Sequence, residues 1–255
     1  LQLPEVLAAS KWIEYATWAD SSSVCMDDRL DAWDGFVEGV AGILGLTAPE
    51  EKILYSWVPK SEQGPDRWPC GAMDDGCQGS SDGRPLVFVS ELEMLHELVH
   101  AVEVPVLGEA HPVFLEGMAE YLSRSESTEG LLGNFVERFS AAVDDGHVDY
   151  PVFMHFVGSV VENHGVERYK DFRSRVPAKG KLSDFSAAYY DVFGEEFMSA
   201  LDGMSFRAIV GRWQPWGCDA AKPSLPWPTE GTLDVTIGGK CGDGEFYGGG
   251  FADGE

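Results

Sequence analysis

A chain of 255 residues with 44% hydrophobic content can bury a substantial core, as one domain or as two packed lobes. Its 43 acids against 18 Lys and Arg leave a formal charge of −25, which excludes nucleic acid and anionic membranes as natural partners. No apolar stretch approaches the roughly 20 residues of a membrane span, and Leu1 opens without the basic stretch of a secretory leader, as expected of an exported chain whose leader has been removed.

Residues 11–17 alternate in character and read as a strand; residues 27–44 follow as a helix with Gly45 as its C-cap. Residues 52–58, rich in aromatic and β-branched side chains, predict a second strand. Cys70 and Cys77 then bracket a short loop of Gly and Asp. The apolar run Leu86-Val87-Phe88-Val89 reads as a buried strand feeding a helix. Ser90 and Glu93 have the spacing of a capping box, Leu92, Leu95, Val99 and Val102 recur at helical period, and Val104-Pro105 marks the expected end.

That helix carries His96-Glu97-Leu98-Val99-His100. Residues four apart stand one turn apart on one helix face, so both imidazoles reach one metal ion. The glutamate between them can take a proton from water at that ion. A second helix is expected from Pro112, which suits the first helical position, through Ser123. Within its apolar pattern lie Glu116 and Glu120, two acids on one face that are costly to bury unless a cation partners them. Glu116 completes the two-His, one-Glu donor set of catalytic zinc, with a fourth position left for water. Glu120 is expected to orient a ligating histidine, and Gly117 to let the two metal helices approach closely.

His96 to His100, followed by Phe114-Leu115-Glu116-Gly117-Met118-Ala119-Glu120-Tyr121, resembles the gluzincin clan of metallopeptidases, most closely bacterial peptidase-MA-like domains. The resemblance covers roughly residues 10–210, strong in the two metal helices and loose elsewhere. It implies one zinc ion per chain, held by His96, His100 and Glu116, and a peptide or protein substrate cleaved by a zinc-activated water with Glu97 as general base. It further implies a Tyr or His that stabilises the oxyanion. Tyr150 is the first candidate and His155 the second, with His164, Tyr189 and Tyr190 behind them. Gly71-Ala72-Met73-Asp74-Asp75 is similar to the Gly-Ala-Met-Glu-Asn segment of one large aminopeptidase family. Here it carries Asp in place of Glu and sits in a tight loop between cysteines, a poor setting for an edge strand that guides substrate.

From residue 109 to about 211 the pattern is helical, broken at Asp144-Asp145-Gly146, Gly165, residues 177–180 and Gly194. The expected fold is α+β. A small mixed sheet and the zinc helix form an N-terminal lobe over residues 1–104, and a mainly helical lobe carrying the third ligand covers 105–212, with the active-site cleft between them. Residues 213–255, rich in Pro, Gly and Trp with a lone strand signal at 233–237, read as an appendage or the start of a further β module. Cys70 with Cys77, and Cys218 with Cys241, are possible disulfides, with Cys25 left over to pair with either of the first two instead. Five cysteines so arranged point to a secreted, periplasmic or cell-surface protein. Two other functions fit the same residues: zinc hydrolysis of a non-peptide amide or ester, or an inactive peptidase fold serving as an extracellular binding module. Oligomeric state is not legible.

Overall fold

The computed structural model describes residues 3–19, 26–72, 74–124 and 126–213. Residues up to Val106 form one compact unit and Leu107–Trp213 another. The first is an α/β layer and the second is helical, so the α+β class read from the sequence holds. Cys25, Cys218, Cys241 and the strand signal at 233–237 lie outside the described residues.

The first unit is built on a five-stranded mixed sheet in the order β1-β2-β3-β5-β4. Its strands are β1 (Val6–Ala9), β2 (Ile13–Thr17), β3 (Ile53–Trp57), β4 (Gly76–Ser81) and β5 (Arg84–Val89). The middle three, β2, β3 and β5, run parallel; β1 and β4 are antiparallel edges. Helix α1 (Asp27–Leu44) makes the crossover between β2 and β3 and ends at Gly45, whose φ of 63° is left-handed and suits a residue without Cβ. Alternation along β3 divides the core in two. Tyr55 faces α1, its ring 4.5 Å from Trp33, whereas Leu54 joins Ala16, Val58, Trp68, Leu86 and Phe88 on the opposite face, with Cys70 and Cys77 packed against that cluster.

Two strands carried no sequence signal. β1 is short and exposed, and β4 reads Gly-Cys-Gln-Gly-Ser-Ser, a composition poor in β formers. β4 is a strand because β5 pairs with it along its length, from Gly76 opposite Val89 to Ser81 opposite Arg84. The Cys70–Cys77 disulfide ties its start to the preceding loop. The Cys-bounded loop leads into the edge strand β4, which begins at Gly76, after residues 71–75. Before the strand, Asp74 Oδ2 accepts from the Gly71 amide at 2.7 Å.

Helix α2 (Leu95–Leu107) corrects the predicted boundaries at both ends. Ser90 does not cap it. Its amide donates to the Asp75 carbonyl at 2.7 Å and its hydroxyl to Asp75 Oδ1 at 3.3 Å. Glu93, the expected return half of the box, pairs instead with Arg29 of α1 at 2.7 Å. Pro105 lies inside the helix rather than ending it. Pro105 has no N–H to give the Ala101 carbonyl one turn back, and only two residues follow it before the helix stops.

The second unit contains α3 (Pro112–Ser123), α4 (Phe135–Asp145), α5 (Tyr150–His164), α6 (Val166–Arg175), α7 (Leu182–Phe193) and α8 (Phe197–Met204). Its core is an aromatic cluster: Phe114 stacks on Phe185 with ring centroids 5.4 Å apart, and Phe139, Phe156, Phe172 and Phe197 surround them. The breaks fall where glycine was read as a stop, with φ of 72°, 83° and 75° at Gly146, Gly165 and Gly194. Gly117 does permit a close approach, but toward α5. A Cβ there would lie 2.5 Å from the Phe153 carbonyl oxygen.

Candidate metal centre

Both histidines of the α2 motif are buried, at 9% and 8% exposure. One helical turn apart, they turn the same ring atom toward each other, with 3.1 Å between the two Nε2 atoms. Two ligands each about 2.0–2.1 Å from a tetrahedral ion stand about 3.3 Å apart. The spacing is therefore close to what a shared cation requires. From α3, Glu116 brings a carboxylate oxygen to the pair, and ligand atoms of His96, His100 and Glu116 all lie within 4.8 Å of one another. Two imidazole nitrogens and one carboxylate oxygen form a donor set suited to a divalent transition metal. This group could hold a metal ion.

Glu97 lies in the first turn of α2, where the helix N-terminus favours a negative charge, and is 7% exposed. Its side chain packs over the first residue of the edge strand. A Cβ at Gly76 would lie 2.9 Å from Glu97 Cγ, 3.1 Å from its Oε1 and 2.6 Å from Met94 Sδ. The motif thus borders β4 through a glycine. Glu120, one turn beyond Glu116, is 8% exposed and accepts from Arg124 Nε at 3.1 Å. At the start of α3, His111 is the N-cap, its Nδ1 accepting from the Val113 amide at 3.2 Å. Burial holds its imidazole below the ordinary histidine range, an effect that Lys181 reinforces and a backbone bond to Gly180 opposes.

The two candidates for oxyanion stabilisation sit on α5. Tyr150 occupies the first turn and is 46% exposed. His155 is fully buried, and both ring nitrogens are engaged within the helical unit: Nδ1 lies 2.6 Å from Thr128 Oγ1 and Nε2 lies 3.0 Å from the Met204 carbonyl. Its ring packs on Phe135 with centroids 4.4 Å apart, and burial lowers its pKa. Both ring nitrogens of this second candidate are thus engaged inside the helical unit. His164 and Tyr189, the weaker candidates, bond each other at 3.1 Å, and Tyr190 is 63% exposed.

Residues that hold the motif in place escaped the sequence reading. Tyr55 and Trp57 of β3 bond the segment that leads into α2, at Leu92, Met94 and Ser90. Arg29 holds Glu93, and Asp75 holds Ser90. Nothing local distinguishes these residues. Only the tertiary fold, through strand pairing and the packing of α1, brings them to the segment before the helix. No known family model matches the chain, and neither does a curated protein or a solved structure.

Proposed function

We propose that the protein is an exported zinc metallopeptidase of the gluzincin type, most simply an endopeptidase. The observation that carries this reading is the convergence of His96, His100 and Glu116 on one point, with Glu97 beside them on the same helix. A divalent ion bound there supplies Lewis acidity toward water and a substrate carbonyl. His96 and His100 hold it through Nε2 and Glu116 through its carboxylate. Glu97 accepts a proton as water oxygen adds to the scissile carbonyl carbon, then returns it to the departing amine as the C–N bond breaks.

A peptide substrate is favoured by the neighbourhood of Glu97. It packs against the start of β4, which among the described residues is an edge strand, with backbone groups on its outer side that the described sheet pairing does not use. An extended chain adds to such an edge by main-chain hydrogen bonds, whatever its side chains, and this brings its carbonyls alongside the motif. Gly76 and Gly79 keep the strand slim there. The Cys70–Cys77 disulfide supports an oxidising compartment. Among the described residues no helix is long and apolar enough to cross a membrane.

The test is metal content together with cleavage of casein by wild type and Glu97→Gln. One zinc per chain in both, with cleavage reduced on the order of 10²–10⁴-fold in the variant, is the expected result. Zinc-loaded wild type that leaves casein and unstructured peptides intact would remove the peptidase reading. Failure to take up zinc would remove the whole proposal.

A further inference from the structure

Helix α2 begins at Leu95 without a Ser, Thr, Asp or Asn as its cap, although the first amides of any helix need partners from outside it. The partner comes from the sheet. The Tyr55 hydroxyl accepts from the Met94 amide at 3.0 Å and donates to the Leu92 carbonyl at 3.0 Å. One hydroxyl hydrogen and one lone pair thus close both ends of the turn that precedes the helix. We propose that Tyr55 is a positioning residue for the metal centre, fastening the 92–94 turn and so setting where His96 and Glu97 emerge from α2. This inference rests on the reading of His96, His100 and Glu116 as a metal site.

The platform is rigid. Tyr55 stands on β3, hydrogen-bonded in parallel to β2 on one side and β5 on the other. The side chain has 0% exposure and its ring lies against Trp33 of α1. Burial raises its pKa far above the ordinary phenol range, and the nearby charges of Glu97 and Glu93 act in the same direction, so the hydroxyl keeps its proton and remains both donor and acceptor. Trp57, two residues along and on the same face of the strand, donates from Nε1 to the Ser90 carbonyl at 3.2 Å. The approach to the helix is therefore held by two side chains of one strand, with Tyr55 gripping the residue next to the first helical one. Phenylalanine would fill the same space. What the hydroxyl adds is the two bonds to the turn.

The experiment is calorimetric titration of the full chain with Zn²⁺, well below the unfolding midpoint, for wild type, Tyr55→Phe and Trp12→Phe. Trp12 is the control, because its Nε1 donates to Glu38 of α1 at 2.9 Å and the bond lies in the same unit without touching residues 90–94. Tyr55→Phe is expected to weaken Zn²⁺ binding about tenfold, the scale of loss when support behind a metal ligand is removed. On casein it lowers kcat with KM little changed, while Trp12→Phe leaves both affinity and kinetics at the wild-type level. An unchanged Zn²⁺ affinity in Tyr55→Phe overturns the inference and leaves the proposed function standing, as does an equal loss in Trp12→Phe. Wild type that binds no Zn²⁺ overturns both together. If Tyr55→Phe does not fold, hydrogen exchange of the wild-type Met94 amide decides. Linkage is reciprocal, so Zn²⁺ must slow that exchange, and an unchanged rate overturns the inference.

Discussion

At the scale of single residues, the centre depends on side chains that are absent as much as on those that are present. Gly76 is the clearest case, because the space its Cβ would take is filled by Glu97 Cγ and Met94 Sδ. Gly76→Ala is expected to push Glu97 from its position while leaving His96, His100 and Glu116 in place. Zinc uptake then stays at one ion per chain while kcat falls on the order of tenfold or more, since a misplaced base loses proton-transfer efficiency. Equal kcat for the variant and wild type would show that the Gly76 contact does not matter to Glu97. The residues that could hold a metal ion were legible in the sequence because their spacing is local: one helical turn between histidines, and two acids on the next helix. Gly76 and Tyr55 were not legible, because each acts on α2 through pairings that join residues many positions apart. The partners of His155 were equally hidden: its two ring nitrogens meet Thr128 and Met204, far away in the sequence.

Elements show the same division. Local glycine signals ended α1, α4, α5 and α7 where expected, because each end turns on a single glycine at positive φ, left-handed helical at Gly45, Gly146 and Gly194. The start of α2 was misread because Ser90 and Glu93 matched a capping box in spacing alone, while Asp75 and Arg29 claimed both side chains from other parts of the fold. Strand β4 was invisible for a related reason, since β5 and a disulfide hold it rather than propensity. In the helical unit, α3 lies so close to α5 that Gly117 has no room for a methyl group. Gly117→Ala is expected to destabilise that unit by about 1–3 kcal/mol, read as an earlier urea midpoint, despite the better helix propensity of alanine. A midpoint equal to wild type would show that the backbone of α5 yields.

The same unit should respond to pH. His111, His155 and His164 are each held below the ordinary value, chiefly by burial. As pH falls through about 6.5, the unfolded chain binds protons that the folded chain resists. Their contribution is therefore complete above that value and is lost as pH falls toward the depressed folded values. Thermal unfolding is expected to shift to lower temperature between pH 7.5 and 5.5, and to shift less in His164→Gln. Identical slopes for the two would remove His164 from the account.

For the whole molecule, the formal charge of −25 is the strongest long-range influence on which substrates arrive. A negative field raises encounter rates with cationic chains and is screened over about 8–10 Å at ordinary salt. If the protein cleaves peptides, kcat/KM for a Lys-rich peptide should fall steeply with added NaCl, while that for an uncharged peptide of the same length should change little. Equal salt dependence for both would show that the field does not steer substrate. The most direct measurement is equilibrium binding of Zn²⁺ to wild type, His100→Ala and Glu116→Ala. One ion per wild-type chain is expected, with affinity reduced at least on the order of a hundredfold in each variant, since each loses one of three protein ligands. Zinc bound equally well by all three proteins, or by none, would contradict the assignment of His96, His100 and Glu116 as one metal centre.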